Sequence, residues 1–231
     1  MPWIAGVDGC KAGWVAAFLQ SDSGEVRFEV LPSFARIVSS AYRPRIIAVD
    51  MPIGLPSTSS PRRACDTEAR GRLGPRRSSI FSPPVRDVAG IAVYGEANET
   101  SKRLTGRGLS KQAFHIMPKI REVEASLLAK PSCDIRECHP EVSFMAMNGD
   151  VPLAAYKRKP EGQRLRRTLL DREFGKGFAK LEAAFSGVAL DDVHDAFACL
   201  WTARRILQGI ASSLPPTPPR DALGLLAQIV F

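Results

Sequence analysis

Apolar and polar positions follow several different patterns along this chain, and each predicts a different element. Residues 3–8 (WIAGVD) are an apolar run ending in an acid, and residues 14–20 (WVAAFLQ) are a second apolar run. Residues 26–31 (VRFEVL) alternate apolar and polar, as a half-buried strand does. Glycine-bearing turns at 9–13 and 21–25 separate these runs, which predicts a three-stranded meander. Ser33 is placed to cap a helix over 34–42, with Phe34, Ile37 and Val38 spaced for one face. Residues 45–50 (RIIAVD) are continuously apolar up to a second terminal acid. That suits a strand covered on both faces, as in a parallel sheet.

Residues 52–86 are rich in proline, arginine and serine and predict loops, with one helix over 62–73. Residues 110–129 predict a helix that Pro118 kinks or breaks. Residues 133–138 (CDIREC) predict a strand, and His139-Pro140-Glu141 opens a helix, because proline suits a first helical turn. Residues 160–186 predict two basic helices split near Gly175 and Gly177. A helix over 191–208 buries Val193, Phe197, Leu200, Trp201 and Leu207. After the rigid spacer SSLPPTPP, residues 222–231 predict a helical turn and a closing strand. The order implies an α/β fold: a mixed five-stranded sheet with helices on both faces. It is expected as one domain over 1–231, with 52–130 as an irregular, helical, Arg/Pro-rich insertion.

Composition narrows the class. Of the 231 residues, 45% are hydrophobic and 24% charged, which excludes both a disordered chain and a membrane bundle. Five scattered cysteines make neither a disulfide framework nor a paired zinc motif, so a reducing cytoplasm is the expected compartment. The apolar pattern does not separate an oligomer face from core. A net charge of +8 favours polyanionic partners: nucleic acid, phosphorylated metabolites or anionic lipid. The charge is concentrated at 62–77 and 157–167. Arg62, Arg63, Arg76 and Arg77, with Lys11 in the glycine turn, are the candidate phosphate contacts.

The candidate chemistry lies in carboxylates. Asp8 and Asp50 each follow an apolar strand, which places them at the carboxyl edge of the sheet, where open α/β sheets bind ligands. Glu137 ends the third such strand. Asp192 and Asp195, three apart on a helix, share one face. Carboxylates brought to one edge repel one another unless a cation joins them. Oxygen-only ligands suit Mg²⁺ or Mn²⁺, and two such ions can activate a water and stabilise a leaving oxygen. His139 and His194 are auxiliary candidates, His194 as a proton shuttle.

These residues carry a resemblance. The runs Gly6-Val7-Asp8-Gly9, Ala48-Val49-Asp50-Met51-Pro52, Glu137-Cys138-His139-Pro140-Glu141 and Asp192-Val193-His194-Asp195-Ala196 resemble the predicted RNase H-like nuclease family, catalogued among domains of unknown function. Arg63-Ala64-Cys65-Asp66, Ser79-Ile80-Phe81 and Pro118-Lys119-Ile120-Arg121-Glu122 fit it as well. The resemblance implies two-metal phosphodiester chemistry on a meander followed by alternating helices and strands. By likeness to crossover-junction resolvases, Asp8 bridges the metals, Asp50 holds the second, and Asp192 or Asp195 supplies the remaining ligand. Those enzymes more often carry glutamate where Asp50 stands. Two other functions fit the pattern less fully. One is a nucleic-acid binder that keeps the fold without turnover. The other is a sugar-kinase or actin-type phosphotransferase, for which a second Asp-Gly phosphate hairpin is missing.

Overall fold

The computed structural model describes residues 2–175, 178 and 187–231. Strands β1 (Trp3–Cys10), β2 (Gly13–Gln20) and β3 (Val26–Leu31) form an antiparallel meander. Strand β4 (Ile46–Val49) then runs parallel to β1, and β5 (Asp134–Glu137) parallel to β4. The order across the sheet is β3-β2-β1-β4-β5. The expected turn at 9–13 shrinks to Lys11 and Ala12, because Cys10 pairs with Gly13.

Both faces of the sheet are covered, which is why its central strands read as unbroken apolar runs. Side chains alternate faces along a strand. Ile4, Ile46 and Ala48 face α5 (Pro140–Met147), α6 (Pro160–Phe174) and α7 (Leu190–Gln208), meeting Phe144, Leu170, Phe197 and Leu200. Ala5, Val7, Ile47 and Val49 face α1 (Phe34–Val38) and α4 (Lys111–Leu128), meeting Phe34, Ile37, Ile120 and Val123. Between β4 and β5 lie α2 (Ala64–Leu73), a 3₁₀ segment at Gly74–Ser79, α3 (Tyr94–Thr105) and α4, with no strand. Helix α3 escapes a hydrophobic-pattern reading because it buries only Ala97 and Ser101.

Three expectations change. Pro118 does not break α4, which is continuous across it. A mid-helix proline costs about 3 kcal/mol, but burial of Ala113 and Met117 before it and of Ile120 and Val123 after it holds both halves in place. Helix α1 is not capped by the Ser33 side chain; the Phe34 N–H donates instead to Glu122 Oε2 of α4, at 2.9 Å. Residues 222–231 contain no helical turn. Asp221 Oδ1 accepts from the backbone of Leu223 and Leu225, forming a turn, and β7 (Ile229–Val230) pairs with β6 (Ser213–Leu214). Of the second half of the expected 160–186 helix pair, residues 176–177 and 179–186 lie outside the described residues. No described helix is long and apolar enough to cross a membrane.

Candidate metal centre

Register brings the first two acids together. Val7 pairs with Val49 in the parallel β1–β4 ladder, and the Asp50 N–H donates to Val7 O at 2.9 Å, so Asp8 and Asp50 leave the sheet side by side. They share the parity of Ile4 and Ala48, the face covered by α7. That helix approaches β1 closely because position 6 is glycine: a Cβ there would stand 2.0 Å from Leu200 N and 2.3 Å from Ala196 O. Asp195, one residue before Ala196, is thereby set beside Asp8. Carboxylate oxygens of Asp8, Asp50 and Asp195 lie within 4.8 Å of one another. Among the described residues no other set of three or more His, Cys, Asp or Glu gathers in this way.

The cluster is electrostatically tense. Burial raises the Asp8 carboxyl well above its usual range, and the charges of Asp50 and Asp195 add to the effect. Burial likewise raises Asp50, with His139 and Lys157 pulling the other way. Burial raises Asp195 to about 7, against the pull of Lys157. The Lys157 Nζ donates to Asp195 Oδ2 at 2.5 Å. Burial alone would lower the lysine, but Asp195 outweighs it and holds the ammonium above its ordinary value. The Gly9 N–H donates to Asp8 Oδ1 at 2.7 Å. A cleft of about 320 Å³ opens here, lined by Asp50, Asp195, Lys157, Arg76, His139 and Tyr156, among others.

A family model described as "Protein of unknown function (DUF429)" matches residues 6–220 of the chain. The chain belongs to the DUF429 family. No curated protein and no solved structure matches it.

The other residues singled out in this DUF429 sequence distribute unevenly. Asp192 is half-buried and adds to the negative field at Asp8, but it is not one of the three clustered carboxylates. Asp191 is paired with Arg158 at 3.0 Å; burial opposes its ionisation, yet that hydrogen bond and the Lys157 charge leave it lowered. Glu137 pairs in register with Val49, so it points to the opposite face from Asp50. There it meets Arg63 Nη1 and Nη2, each at 2.7 Å, and accepts from the Ile53 N–H at 2.6 Å. Burial raises Glu137 to about 7 while Arg63 pulls it down. Arg63 is buried and also donates to both oxygens of Asp66 and to Ile53 O.

Arg76 does line the acid cleft. It donates to Glu141 Oε1 at 3.2 Å, and its guanidinium lies 4.1 Å from the centre of the Tyr156 ring. Arg62 is exposed and borders a different cleft, near Pro219 and Asp221. Arg77 and Lys11 are exposed, Lys11 at the tip of the β1–β2 hairpin. His139 caps α5: its Nδ1 accepts from the Glu141 N–H at 3.2 Å, and its Nε2 is 3.3 Å from Ser79 O. His194 is buried against Phe178, and burial lowers it to about 4. Sequence reasoning missed Lys157 and Glu141 as neighbours of the acids. Lys157 opens the basic 157–167 segment and carried no signal beyond its charge. Glu141, following His139-Pro140, stands where an acid in the first turn stabilises a helix by itself, so the sequence carried no separate signal for its place beside the aspartates.

Proposed function

We propose that this protein is a divalent-metal-dependent phosphodiesterase of the RNase H-like type that acts on nucleic acid. The observation that carries the reading is the convergence of Asp8, Asp50 and Asp195 within 4.8 Å at the carboxyl edge of the sheet. The donor set fits the ion: three carboxylates with no thiolate among them suit Mg²⁺ or Mn²⁺. Their mutual repulsion is what such an ion relieves. A meander followed by alternating helices and strands is the arrangement that the family resemblance implies, and it supports the same reading.

A divalent ion held there supplies Lewis acidity toward the phosphodiester and toward a water. The chain supplies the rest. Asp8, Asp50 and Asp195 hold the ion. Arg76, Lys157 and Arg158 line the same cleft and present positive charge to a phosphate backbone. His139, engaged at both ring nitrogens, orients the start of α5 beneath that cleft.

The test is a cleavage screen. Labelled single- and double-stranded DNA and RNA, an RNA/DNA hybrid and a four-way junction are incubated with Mg²⁺ or Mn²⁺, beside an Asp8→Asn control. Cleavage that needs the metal and vanishes in the variant is expected. Retained binding with no cleavage under any metal would replace the enzyme by a nucleic-acid binder. Loss of both would remove nucleic acid as the substrate.

A further inference from the structure

We infer that Lys157 is the second cation of this centre, so that the aspartates take up one divalent ion and not two. The inference rests on the metal-centre reading above and concerns its charge balance. Asp8, Asp50 and Asp195 bring three negative charges. Lys157, with Nζ 2.5 Å from Asp195 Oδ2, returns one positive charge. The remainder equals the charge of a single divalent cation. A second divalent ion would leave the buried cluster net positive, beside an ammonium that already occupies an Asp195 oxygen.

Of the nearby acids, Glu141, Asp191 and Glu137 are already engaged by arginines. Glu141 lies between Arg76 at 3.2 Å and Arg166 at 2.5 Å, and Asp191 is paired with Arg158. Glu137 is on the opposite face, bound to Arg63. Asp192 is half-buried and outside the three-carboxylate group; its charge reaches Asp8 and Asp50 and is opposed by Lys157 and Arg158.

The lysine is also positioned rather than loose. Its segment follows α5 and is fixed on both sides. Arg166 Nη1 donates to Ala155 O at 3.3 Å, and Gly162 packs so closely that a Cβ there would stand 2.0 Å from Tyr156 O. The Tyr156 ring lies on Arg76, and Arg158 reaches Asp191. Between these anchors, the Lys157 side chain is 35% exposed and lines the cleft. Its charge therefore faces both the acids and whatever enters.

Mn²⁺ titration of the full chain tests this, read by electron paramagnetic resonance and calorimetry on wild type, Lys157→Gln, Lys157→Arg and Asp8→Asn. Wild type is expected to bind one ion per chain, and Asp8→Asn to lose it. Lys157→Gln removes the charge that repels the ion and is expected to bind Mn²⁺ about tenfold or more tightly. Lys157→Arg, which keeps the charge, is expected to stay near wild type. A lysine that merely oriented Asp195 would give the opposite sign, so weaker binding in Lys157→Gln overturns the inference. Two ions in wild type overturn it as well and leave the metal-centre reading standing. Should Lys157→Gln not fold, the wild-type stoichiometry alone decides. No Mn²⁺ bound by wild type would bring down the metal centre and this inference together.

Discussion

On one face of the sheet three aspartates share a single lysine; on the other, two carboxylates share a single arginine that meets them with nearly every N–H it has. Both clusters are buried, and both sit at the carboxyl ends of neighbouring strands. Arg63 has five N–H donors. Its Nε reaches Asp66, and Nη1 and Nη2 each make two contacts, to Ile53 O and Glu137 and to Asp66 and Glu137. That set is closed and has no capacity for a ligand. The Asp8–Asp50–Asp195 set is open: one cation serves three acids, and a cleft leads to it. Burial alone therefore does not distinguish a structural cluster from a site. The ratio of donors to acceptors does.

The largest effect that separates the two clusters is expected on Arg63. Replacing it with methionine leaves Glu137 and Asp66 buried without a counter-charge. Breaking a buried pair in this way costs about 3–5 kcal/mol. Urea denaturation should show that loss, and Mn²⁺ should not restore it.

A smaller effect follows from pH. Asp8, Asp50, Asp195 and Glu137 are all raised in the folded state, so the folded chain binds more protons than the unfolded one. Their contribution is fully present below the unfolded carboxylate range, near pH 4, and is lost as pH rises through about 7. The share of these four carboxyls in the metal-free stability should fall across that window, opposed in part by His194, whose lowered imidazole costs stability as pH falls below its ordinary range. Mn²⁺ should recover the share of the three aspartates and not that of Glu137, and its stabilising effect should be larger at pH 8 than at pH 5. Denaturation at a series of pH values, with and without Mn²⁺, checks both statements. A metal effect independent of pH would put the ion elsewhere.

The smallest effect is expected at the rim. The Arg158 side chain is 83% exposed, and an exposed ion pair contributes less than about 1 kcal/mol. Arg158→Ala should leave the denaturation midpoint almost unchanged. A large loss would mean that the Asp191–Arg158 pair is a structural one and not a rim contact of the open cluster.

These contrasts also show what the sequence could and could not convey. The meander and β4 were legible because two covered faces force long apolar runs. Asp8 and Asp50 were legible because each terminates such a run. Glu137 terminates one too, but strand parity sends it to the other face, and the residue that shares the Asp50 face is Cys138. Counting one residue further along IREC would have separated the two. Arg63 and Arg76 looked like a basic surface because charge density carries no information about burial. Lys157 was hidden for a different reason. It is far along the chain from Asp8 and Asp50, and its contact with Asp195 depends on how the segment after α5 folds back. Pro118 misled because local propensity has no knowledge of the contacts that hold both halves of α4.

Gly6 bears on all of this without carrying any chemistry. It acts as the gauge block between β1 and α7: with no side chain in the gap, the helix seats on the strand, and Asp195 comes down to the level of Asp8. A single methyl group there would lift the helix while leaving every acid in the sequence untouched. The site can therefore be dismantled from a position that holds no functional group, and a chain could keep all three aspartates yet lose their meeting point.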